Sequence, residues 1–257
     1  MTWIKICGTT NLQDALAAVD AGANALGFVF QEKSPRKIDP AKAREIVAKL
    51  PESVEKVGVF VNESTERIGD IVQKVGLSGV QLHGTENAEF ARNLFKHFDK
   101  KVEILRVLPM SQFPPGEEDE KGFDLVAAGV LNAEDAQTFA NLMRDAAVDH
   151  GLSEERPGEI RGGPIQRVVL DSGAPGVGGT GKVFNWHDCK LFVEAIRTFT
   201  NVIIAGGLTA ENVSEAIKLL RPWGVDVASG VESEPGKKDH GKVRAFVKSV
   251  REAEKKN

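Results

Sequence analysis

Two side chains that can move protons stand at the ends of apolar segments in this 257-residue sequence. Cys7 closes the segment Trp3 to Cys7, and Asp171 follows the apolar run Val168-Val169-Leu170. A thiol beside backbone and helix dipoles is partly ionised and acts as a nucleophile or base, whereas most free cysteines are small buried hydrophobes. A carboxyl group leaving a hydrophobic strand has a raised pKa and serves as a general acid, or it caps the next loop. Both interpretations stay open for each residue.

Three further polar residues have binding or proton-transfer chemistry. Arg36 lies in the stiff loop Lys33-Ser34-Pro35-Arg36-Lys37, where its guanidinium either clamps a carboxylate with two hydrogen bonds or forms an exposed salt bridge. Asp226 lies inside an apolar segment and is either a core hydrogen-bonding group or a site residue. His83 either carries protons or fixes its own loop.

Two small, glycine-rich segments, Ala205-Gly206-Gly207 and Ala228-Ser229-Gly230, each follow an apolar run. Backbone N–H groups of such segments approach an anion closely, so Gly207, Ser229 and Gly230 are candidate phosphate ligands. The alternative is a pair of tight turns without chemical consequence. The repetition of the pattern favours a phosphate site.

Metal and nucleotide motifs are missing from the sequence. The five histidines form no H-x-x-x-H pair, and there is no cysteine cluster, so we expect no metal and no cofactor. The segment Gly178-Gly179-Thr180-Gly181-Lys182 is followed by Val183 rather than Ser or Thr, which excludes a Walker loop. Cys189 lies in a helical segment and is expected to be structural.

The composition excludes several classes of protein. With 41% hydrophobic and 27% charged residues, the chain is not disordered throughout. Its net charge of -4 provides no basic field for nucleic acid, so we expect a small anionic ligand at a local site. No apolar run approaches the length of a membrane span, and the residues before Trp3 lack the charged and apolar regions of a signal peptide, so we expect a protein that is neither exported nor membrane-spanning. With only two cysteines, a cytoplasmic protein is the expected class, and the sequence indicates no particular oligomeric state.

Apolar, β-branched segments alternate with longer segments of helical periodicity. Eight strands are predicted: Trp3 to Cys7, Ala25 to Phe30, Glu55 to Val61, Gly79 to Leu82, Val102 to Val107, Arg167 to Leu170, Val202 to Ala205 and Val225 to Ala228. The helices predicted between them are Leu12 to Ala21, Pro40 to Leu50, Thr65 to Val75, Asn87 to Phe98, Ala133 to Val148, His187 to Phe199, Asn212 to Leu220 and Lys242 to Ala253.

This alternation predicts a single (β/α)8 barrel domain over residues 1–257, because no G-x-G-x-x-G turn of a dinucleotide-binding fold follows the first strand. The connection between strands five and six is enlarged, with predicted surface insertions near residues 109–132 and 150–164 that are either decoration or a lid or interface. Phe123 to Val130 could form an extra strand. In such barrels the carboxyl ends of the strands form the catalytic face, which places all the candidate residues at one mouth.

Several ordered motifs together resemble the phosphoribosylanthranilate isomerase family of tryptophan biosynthesis. They include Lys5-Ile6-Cys7-Gly8-Thr9-Thr10, Gly27-Phe28-Val29-Phe30 with Ser34-Pro35-Arg36, Val80-Gln81-Leu82-His83-Gly84, Gly178-Gly179-Thr180-Gly181-Lys182 and Val225-Asp226-Val227-Ala228-Ser229-Gly230-Val231-Glu232. The resemblance covers nearly the whole chain except the two insertions.

The resemblance implies an Amadori rearrangement of N-(5-phosphoribosyl)anthranilate to the 1-deoxyribulose 5-phosphate product, without a cofactor. It implies that Asp171 is the general acid and Cys7 the general base, and that Arg36 binds the anthranilate carboxylate. Asp226 would belong to the substrate pocket, Gly207, Ser229 and Gly230 would hold the phosphate, and the glycines after strand six would let their loop close over the site.

Two rival functions remain. The first is a different phosphosugar barrel. Indole-glycerol-phosphate synthase is disfavoured because it is expected to carry catalytic lysines inside its strands, whereas Lys5 is the only lysine well within a predicted strand here. The histidine-pathway isomerase is disfavoured because it resembles a pattern with an aspartate at the end of strand one, where this chain has Cys7. A non-catalytic phosphate-binding barrel that docks a partner through its insertion would keep the glycine loops but lack a competent acid and base.

Overall fold

The computed structural model describes residues 1–99, 101–110, 165–173 and 183–255. Eight parallel strands form a closed barrel in sequence order, and the eighth pairs with the first. They are β1 Trp3–Cys7, β2 Ala25–Val29, β3 Glu55–Phe60, β4 Gly79–Leu82, β5 Glu103–Pro109, β6 Arg167–Asp171, β7 Asn201–Ile204 and β8 Gly224–Val227. The predicted (β/α)8 fold is confirmed.

Helices cover the outside of the barrel: α1 Leu12–Ala21, α2 Pro40–Val47, α3 Thr65–Val75, α4 Ala88–His97, α5 Lys190–Ile196, α6 Val213–Leu220 and α7 His240–Glu254. Local capping fixes several of their ends. The Asn11 side chain accepts a hydrogen bond from the Asp14 N–H at the start of α1, and Gly22 ends that helix in the left-handed conformation. Asp39 caps α2, which begins with Pro40 at a position where no N–H is needed.

Several predicted boundaries are wrong. Strand β5 continues to Pro109, which pairs with Asp171, because the buried run extends through Leu108 to Met110, so the insertion does not begin at residue 109. Helix α7 starts earlier than predicted because Asp239 accepts hydrogen bonds from the Gly241 and Lys242 N–H groups. Helix α5 starts later, and Cys189 is its N-cap residue rather than part of the helix.

Some predictions lie outside the described residues. They are the helix over Ala133 to Val148, the extra strand, the insertion at 150–164, nearly all of the insertion at 109–132, and the loop Gly178 to Lys182. They stay predictions, as does the single-domain assignment for the whole chain.

A short antiparallel hairpin that the sequence analysis missed follows β8. A 3-10 turn, Ser229–Val231, leads into β9 Glu232–Glu234, which pairs with β10 Lys237–Lys238. The Pro235-Gly236 pair between two charged segments is a turn signal that would have indicated it, and Gly236 has the positive φ that such a turn needs. The hairpin matters because it lies at the carboxyl ends of the strands.

The barrel interior has two levels. From the lower end, where the strands begin, up to the floor of the cavity, an apolar cluster fills the interior: Trp3, Ala25, Val57, Leu105, Val107, Val169, Ile203 and Ala205. At the upper end, where the strands finish, Cys7, Val29 and Val59 form a much smaller apolar cluster. Alternate residues such as Ile4 and Ile6 face the helices and join the main core.

Candidate active site

A cavity of about 330 Å³ opens at the upper end of the barrel. Six of the seven residues predicted for the site line it: Cys7, Arg36, Asp171, Gly207, Asp226 and Ser229. Gly230 is the exception, because it packs against the preceding loop, where a Cβ atom would lie 1.9 Å from the Leu208 carbonyl oxygen. A second hollow, between α2 and α3, contains no strand end and none of the predicted residues.

The Cys7 thiol lies beside a buried charge pair that connects β1 and β8. Lys5 is fully buried, its Nζ forms an ion pair with Oδ2 of Asp226, and its charge acts on the Cys7 thiol. Burial alone would lower the pKa of Lys5, but Asp226 and Cys7 raise it, so the ammonium form is retained. The other carboxylate oxygen of Asp226, Oδ1, is buried and has no hydrogen-bond partner among the described residues. The ion pair of Oδ2 fits the core interpretation of Asp226, and its site role stays a prediction, although the residue lines the cavity.

The expected partial ionisation of Cys7 is not what the geometry favours. Burial raises the pKa of the thiol, and the nearby Lys5 ammonium only partly opposes this. The sequence argument relied on a helix dipole, but α1 begins at Leu12, beyond the loop that follows Cys7. The thiol form of Cys7 is thus the main form in the free protein.

Asp171 is the last residue of β6 and is buried at the cavity wall. Burial raises its pKa, as expected for a general acid, although the neighbouring His83 and a 2.8 Å hydrogen bond from the Gly173 N–H oppose the shift. His83 also lines the cavity, and burial lowers its pKa, which favours the neutral imidazole. The Gly173 contact shows that Asp171 also caps its loop.

Arg36 is held in a buried salt bridge rather than the exposed one that the sequence allowed. Its Nε and Nη2 donate to the two carboxylate oxygens of Glu232 in the hairpin, at 2.9 and 2.8 Å. Gly8 makes room for this arrangement, since its φ is +78° and a Cβ there would lie 2.6 Å from Cδ of Arg36. Arg36 lines the cavity, and its third nitrogen, Nη1, makes no hydrogen bond to a described residue.

Lys238 ties the hairpin to the strand ends. Its buried Nζ donates to the carbonyl oxygens of Cys7 and Ala228 at 2.5 and 3.2 Å and to Oε1 of Glu232 at 2.8 Å. Its backbone N–H donates to Asp14, which also contacts His240 at 2.9 Å. Glu232 and Lys238 thus fix both Arg36 and the end of β1.

The loops after β7 and β8 offer free backbone donors. Gly206 and Gly207 have φ values of +80° and +64°, and the Asn212 side chain holds the loop by donating to the Gly207 carbonyl at 3.0 Å. The N–H groups of Gly207, Ser229 and Gly230 donate no hydrogen bond to a described residue. Two adjacent loops with free N–H groups suit an anion.

Sequence reasoning missed four residues that build this site: Lys5, Gln81, Glu232 and Lys238. Lys5 could have been found from the sequence, because residues two apart on a strand point to the same side. Lys5 therefore faces the barrel interior together with Cys7. Within the described ranges, no group of three or more His, Cys, Asp or Glu residues is arranged to hold a metal ion. No helix of the described part is long and apolar enough to cross a membrane.

Comparison with known proteins decides the family. The family model of N-(5'-phosphoribosyl)anthranilate (PRA) isomerase matches residues 4–112 and 134–249. The chain belongs to this isomerase family.

Relatives that carry the family name extend over almost the whole chain. The isomerase of Thermotoga neapolitana is 40% identical over 98% of this chain and 99% of its own length, and that of Chlorobaculum tepidum is 40% identical over 99% and 97%. The crystal structure of the Thermotoga maritima isomerase superposes with a TM-score of 0.71 at 34% identity and covers 98% of this chain and 100% of its own.

A further solved structure of the family is a complex with reduced 1-(o-carboxyphenylamino)-1-deoxyribulose 5-phosphate, with a TM-score of 0.68 and 32% identity over 98% of this chain and 100% of that chain. As a member of the PRA isomerase family, this chain is an isomerase of tryptophan biosynthesis, which confirms the sequence resemblance. The roles of its individual residues are a separate question.

Proposed function

We propose that Cys7 and Asp171 perform the two proton transfers by which this isomerase converts N-(5'-phosphoribosyl)anthranilate to 1-(2-carboxyphenylamino)-1-deoxyribulose 5-phosphate. The observation that carries the proposal is that a buried carboxyl group and a buried thiol, on β6 and β1, border one cavity. An acid and a base on separate strands can act on one bound molecule from different sides.

The first step needs the acid. The Asp171 carboxyl group protonates the ring oxygen of the furanose, the C1–O bond breaks, and the electron pair of the amine nitrogen forms an iminium at C1. This cation makes the C2–H bond acidic, and the Cys7 thiolate takes that proton. The resulting enol gains a proton at C1 and loses one from its C2 hydroxyl, which yields the ketone. The molecule keeps all its electrons, so no oxidant or reductant is consumed.

The reactive protonation state is a minority of the free enzyme. The reaction requires a protonated Asp171 and a deprotonated Cys7, although a carboxyl group ordinarily titrates well below a thiol. Burial raises the pKa of Asp171 and so increases its protonated fraction. The ammonium of Lys5 lowers the pKa of Cys7 against the effect of burial and so increases the thiolate fraction. We assign Lys5 the role of a positioning residue that acts through Cys7.

The remaining polar groups suit the ends of the substrate. Arg36 offers its Nη1 to the carboxylate of the anthranilate ring, while Glu232 and Lys238 fix its position. Gly207, Ser229 and, from the edge of the cavity, Gly230 provide backbone N–H groups for the phosphate. Asp226 Oδ1 is an acceptor for a sugar hydroxyl. The proposed partner is this small phosphorylated molecule, with neither nucleic acid nor membrane, and the cytoplasmic location stays a prediction.

Deuterium at C2 of the substrate tests the proton transfer directly. The purified chain should convert freshly prepared substrate, observed as decay of anthranilate fluorescence, with a slower rate for the C2-deuterated form. Mass spectrometry should find the deuterium lost to water or moved to C1, since a single base handles it. If Cys7→Ala left both the rate and this isotope effect unchanged, Cys7 would not be the base and the mechanism would be ruled out. Absence of turnover by the wild-type chain would reject the proposed function.

A further inference from the structure

Gln81 is a buried amide without a hydrogen-bond partner for its oxygen. It is the third residue of β4, its side chain lines the upper cavity, and it is only 3% exposed. Its Oε1 is fully buried and accepts no hydrogen bond, and its amide nitrogen donates none to a described residue. A buried polar group without a partner costs about 1–3 kcal/mol, so its presence needs a reason.

The neighbouring strands explain why the protein itself does not satisfy the amide. In the register of the sheet, Gln81 lies beside Val59 of β3 and Leu105 of β5, and both side chains are aliphatic. A leucine or methionine at position 81 would extend this apolar surface without an unsatisfied group. A molecule inside the cavity that Gln81 lines is the remaining source of a partner for its amide.

A second unsatisfied acceptor lies on the other side of the barrel. Asp226 Oδ1 belongs to β8, which is four strands from β4 in either direction around the closed sheet. The two groups thus border the same cavity from opposite walls. A molecule that fits between Gln81 and Asp226 should therefore carry polar groups in its middle section.

We propose that the Gln81 amide binds a hydroxyl group of the substrate's sugar, opposite Asp226, which rests on the proposed function of the site. A hydroxyl group both donates and accepts, so it matches an amide that offers one acceptor and two donors. The charged ends of the substrate are already assigned to Arg36 and to the glycine loops. The ribose hydroxyls are the uncharged polar groups that remain, and Gln81 makes the cavity specific for a hydroxylated chain.

This role differs from a structural one in its effect on stability. A structural amide would contribute hydrogen bonds to the fold, so its replacement would lower the unfolding temperature. Gln81 contributes no such bond, so Gln81→Met should unfold at the same temperature or a higher one and yet bind ligand more weakly.

The test measures the dissociation constants of reduced 1-(o-carboxyphenylamino)-1-deoxyribulose 5-phosphate and of its 3-deoxy and 4-deoxy forms by calorimetry. The wild-type chain should bind one of the deoxy forms about 10- to 100-fold more weakly than the parent compound, as expected for a lost hydrogen bond to a buried group. Gln81→Met should lose a similar factor for the parent and should no longer distinguish the parent from that deoxy form. Gln73→Met, on the exposed side of α3, is the matched control and should behave as wild type.

The inference is overturned if Gln81→Met discriminates against the deoxy forms as strongly as the wild type does, or if the wild type does not discriminate at all. It is also overturned if Gln81→Met lowers the unfolding temperature and leaves binding intact. A wild-type chain that fails to bind the parent compound would instead reject the proposed function.

Discussion

Charged groups are buried at both ends of the barrel interior, but they are paired differently at the two ends. At the lower end, Arg167 lies between the rings of Trp3 and Trp223, 5.0 and 4.6 Å from their centroids. It hydrogen-bonds Glu55 at 2.6 Å and forms an ion pair with Glu103 at 2.7 Å. The two carboxylates neutralise the charge of Arg167, and the aromatic rings cover its guanidinium. The contacts at this end therefore stabilise the fold.

At the upper end, charges are paired on one side only. Lys5 neutralises one oxygen of Asp226, and Glu232 holds two nitrogens of Arg36. Asp226 Oδ1 and Gln81 Oε1, on two residues that line the cavity, are buried without a hydrogen-bond partner among the described residues. Glu103 Oε2 at the lower end is also buried without a hydrogen bond, but it is ion-paired with Arg167. The difference teaches that polar groups left unpaired on residues that line a cavity, rather than charge itself, mark the functional end of this barrel. Substitutions should therefore separate activity from stability by their position along the barrel axis.

The largest effect should come from the proton-transfer pair. Cys7→Ala and Asp171→Asn should each lower kcat by at least about 10²-fold, the usual scale for loss of an acid or base. Cys189→Ala is the control, because burial raises the pKa of this thiol to about 11 and it lies outside the cavity. Initial rates of fluorescence decay measure the effect. If both variants turn over at the wild-type rate, the upper end is not catalytic in the way proposed.

Arg36→Ala should raise KM about 10- to 100-fold and change kcat little, because a carboxylate contact made equally in the ground and transition states affects binding. Arg36→Lys should not restore KM, since an ammonium cannot keep the paired hydrogen bonds to Glu232. Arg44→Ala, exposed on α2, is the control. Steady-state kinetics over a range of substrate concentrations measure both constants, and an effect confined to kcat would contradict the binding role.

Lys5→Met should lower kcat/KM about tenfold for each unit by which the pKa of Cys7 rises. Because Lys5 stabilises the thiolate, its removal raises that pKa and reduces the reactive fraction. The limb of the pH profile on which activity falls at high pH should then move to higher pH, since the higher of the two pKa values belongs to Cys7. Lys42→Met, exposed on α2, should leave the profile unchanged. A lower rate with an unmoved limb would mean that Lys5 acts only through the fold.

At the lower end the expected result is reversed. Arg167→Met should lower the free energy of unfolding by about 1–3 kcal/mol, because Glu55 and Glu103 lose their cationic partner. Glu55 keeps its hydrogen bond from Trp3, and both carboxylates keep some contact with water. Below the unfolding transition, kcat and KM should remain at wild-type values. Denaturant titration and kinetics on the same sample give both numbers. A large change in KM would show that the two ends are coupled.

The smallest effect concerns acid sensitivity. Burial alone would raise the pKa of Glu232, but Arg36 and Lys238 lower it, so its stabilisation is present above its ordinary pKa of about 4.3 and is lost as the pH falls further. Burial raises the pKa of Glu103 at the lower end, so protonation there favours the folded state as the pH falls.

Hydrogen exchange between about pH 5 and pH 3, corrected for intrinsic rates, should therefore show the hairpin Glu232–Lys238 losing protection before the lower end of the barrel does. Simultaneous loss at both ends would contradict this order.

The fold and the positions of Cys7 and Asp171 at the cavity were predictable because their signals are local. Alternating strand and helix patterns specify the barrel, and Asp171 is recognisable because it directly follows a buried apolar run. The partners of these residues were not predictable, since Glu232 and Arg36 are 196 residues apart and meet only when the barrel closes. Lys5 and Gln81 were recognised only as members of strands. Their proximity to the cavity depends on which face of each strand points inward, and the sequence pattern did not show this.

The contact between Lys238 and the Cys7 carbonyl spans 231 residues of chain. On the ribosome, the cysteine therefore leaves the exit tunnel long before the lysine that anchors its strand is translated. A nascent barrel with seven strands extruded still lacks Asp226, and one with eight still lacks Lys238. The catalytic mouth should therefore be assembled only when translation has almost reached α7, so truncated chains released earlier would carry the thiol but no organised pocket around it.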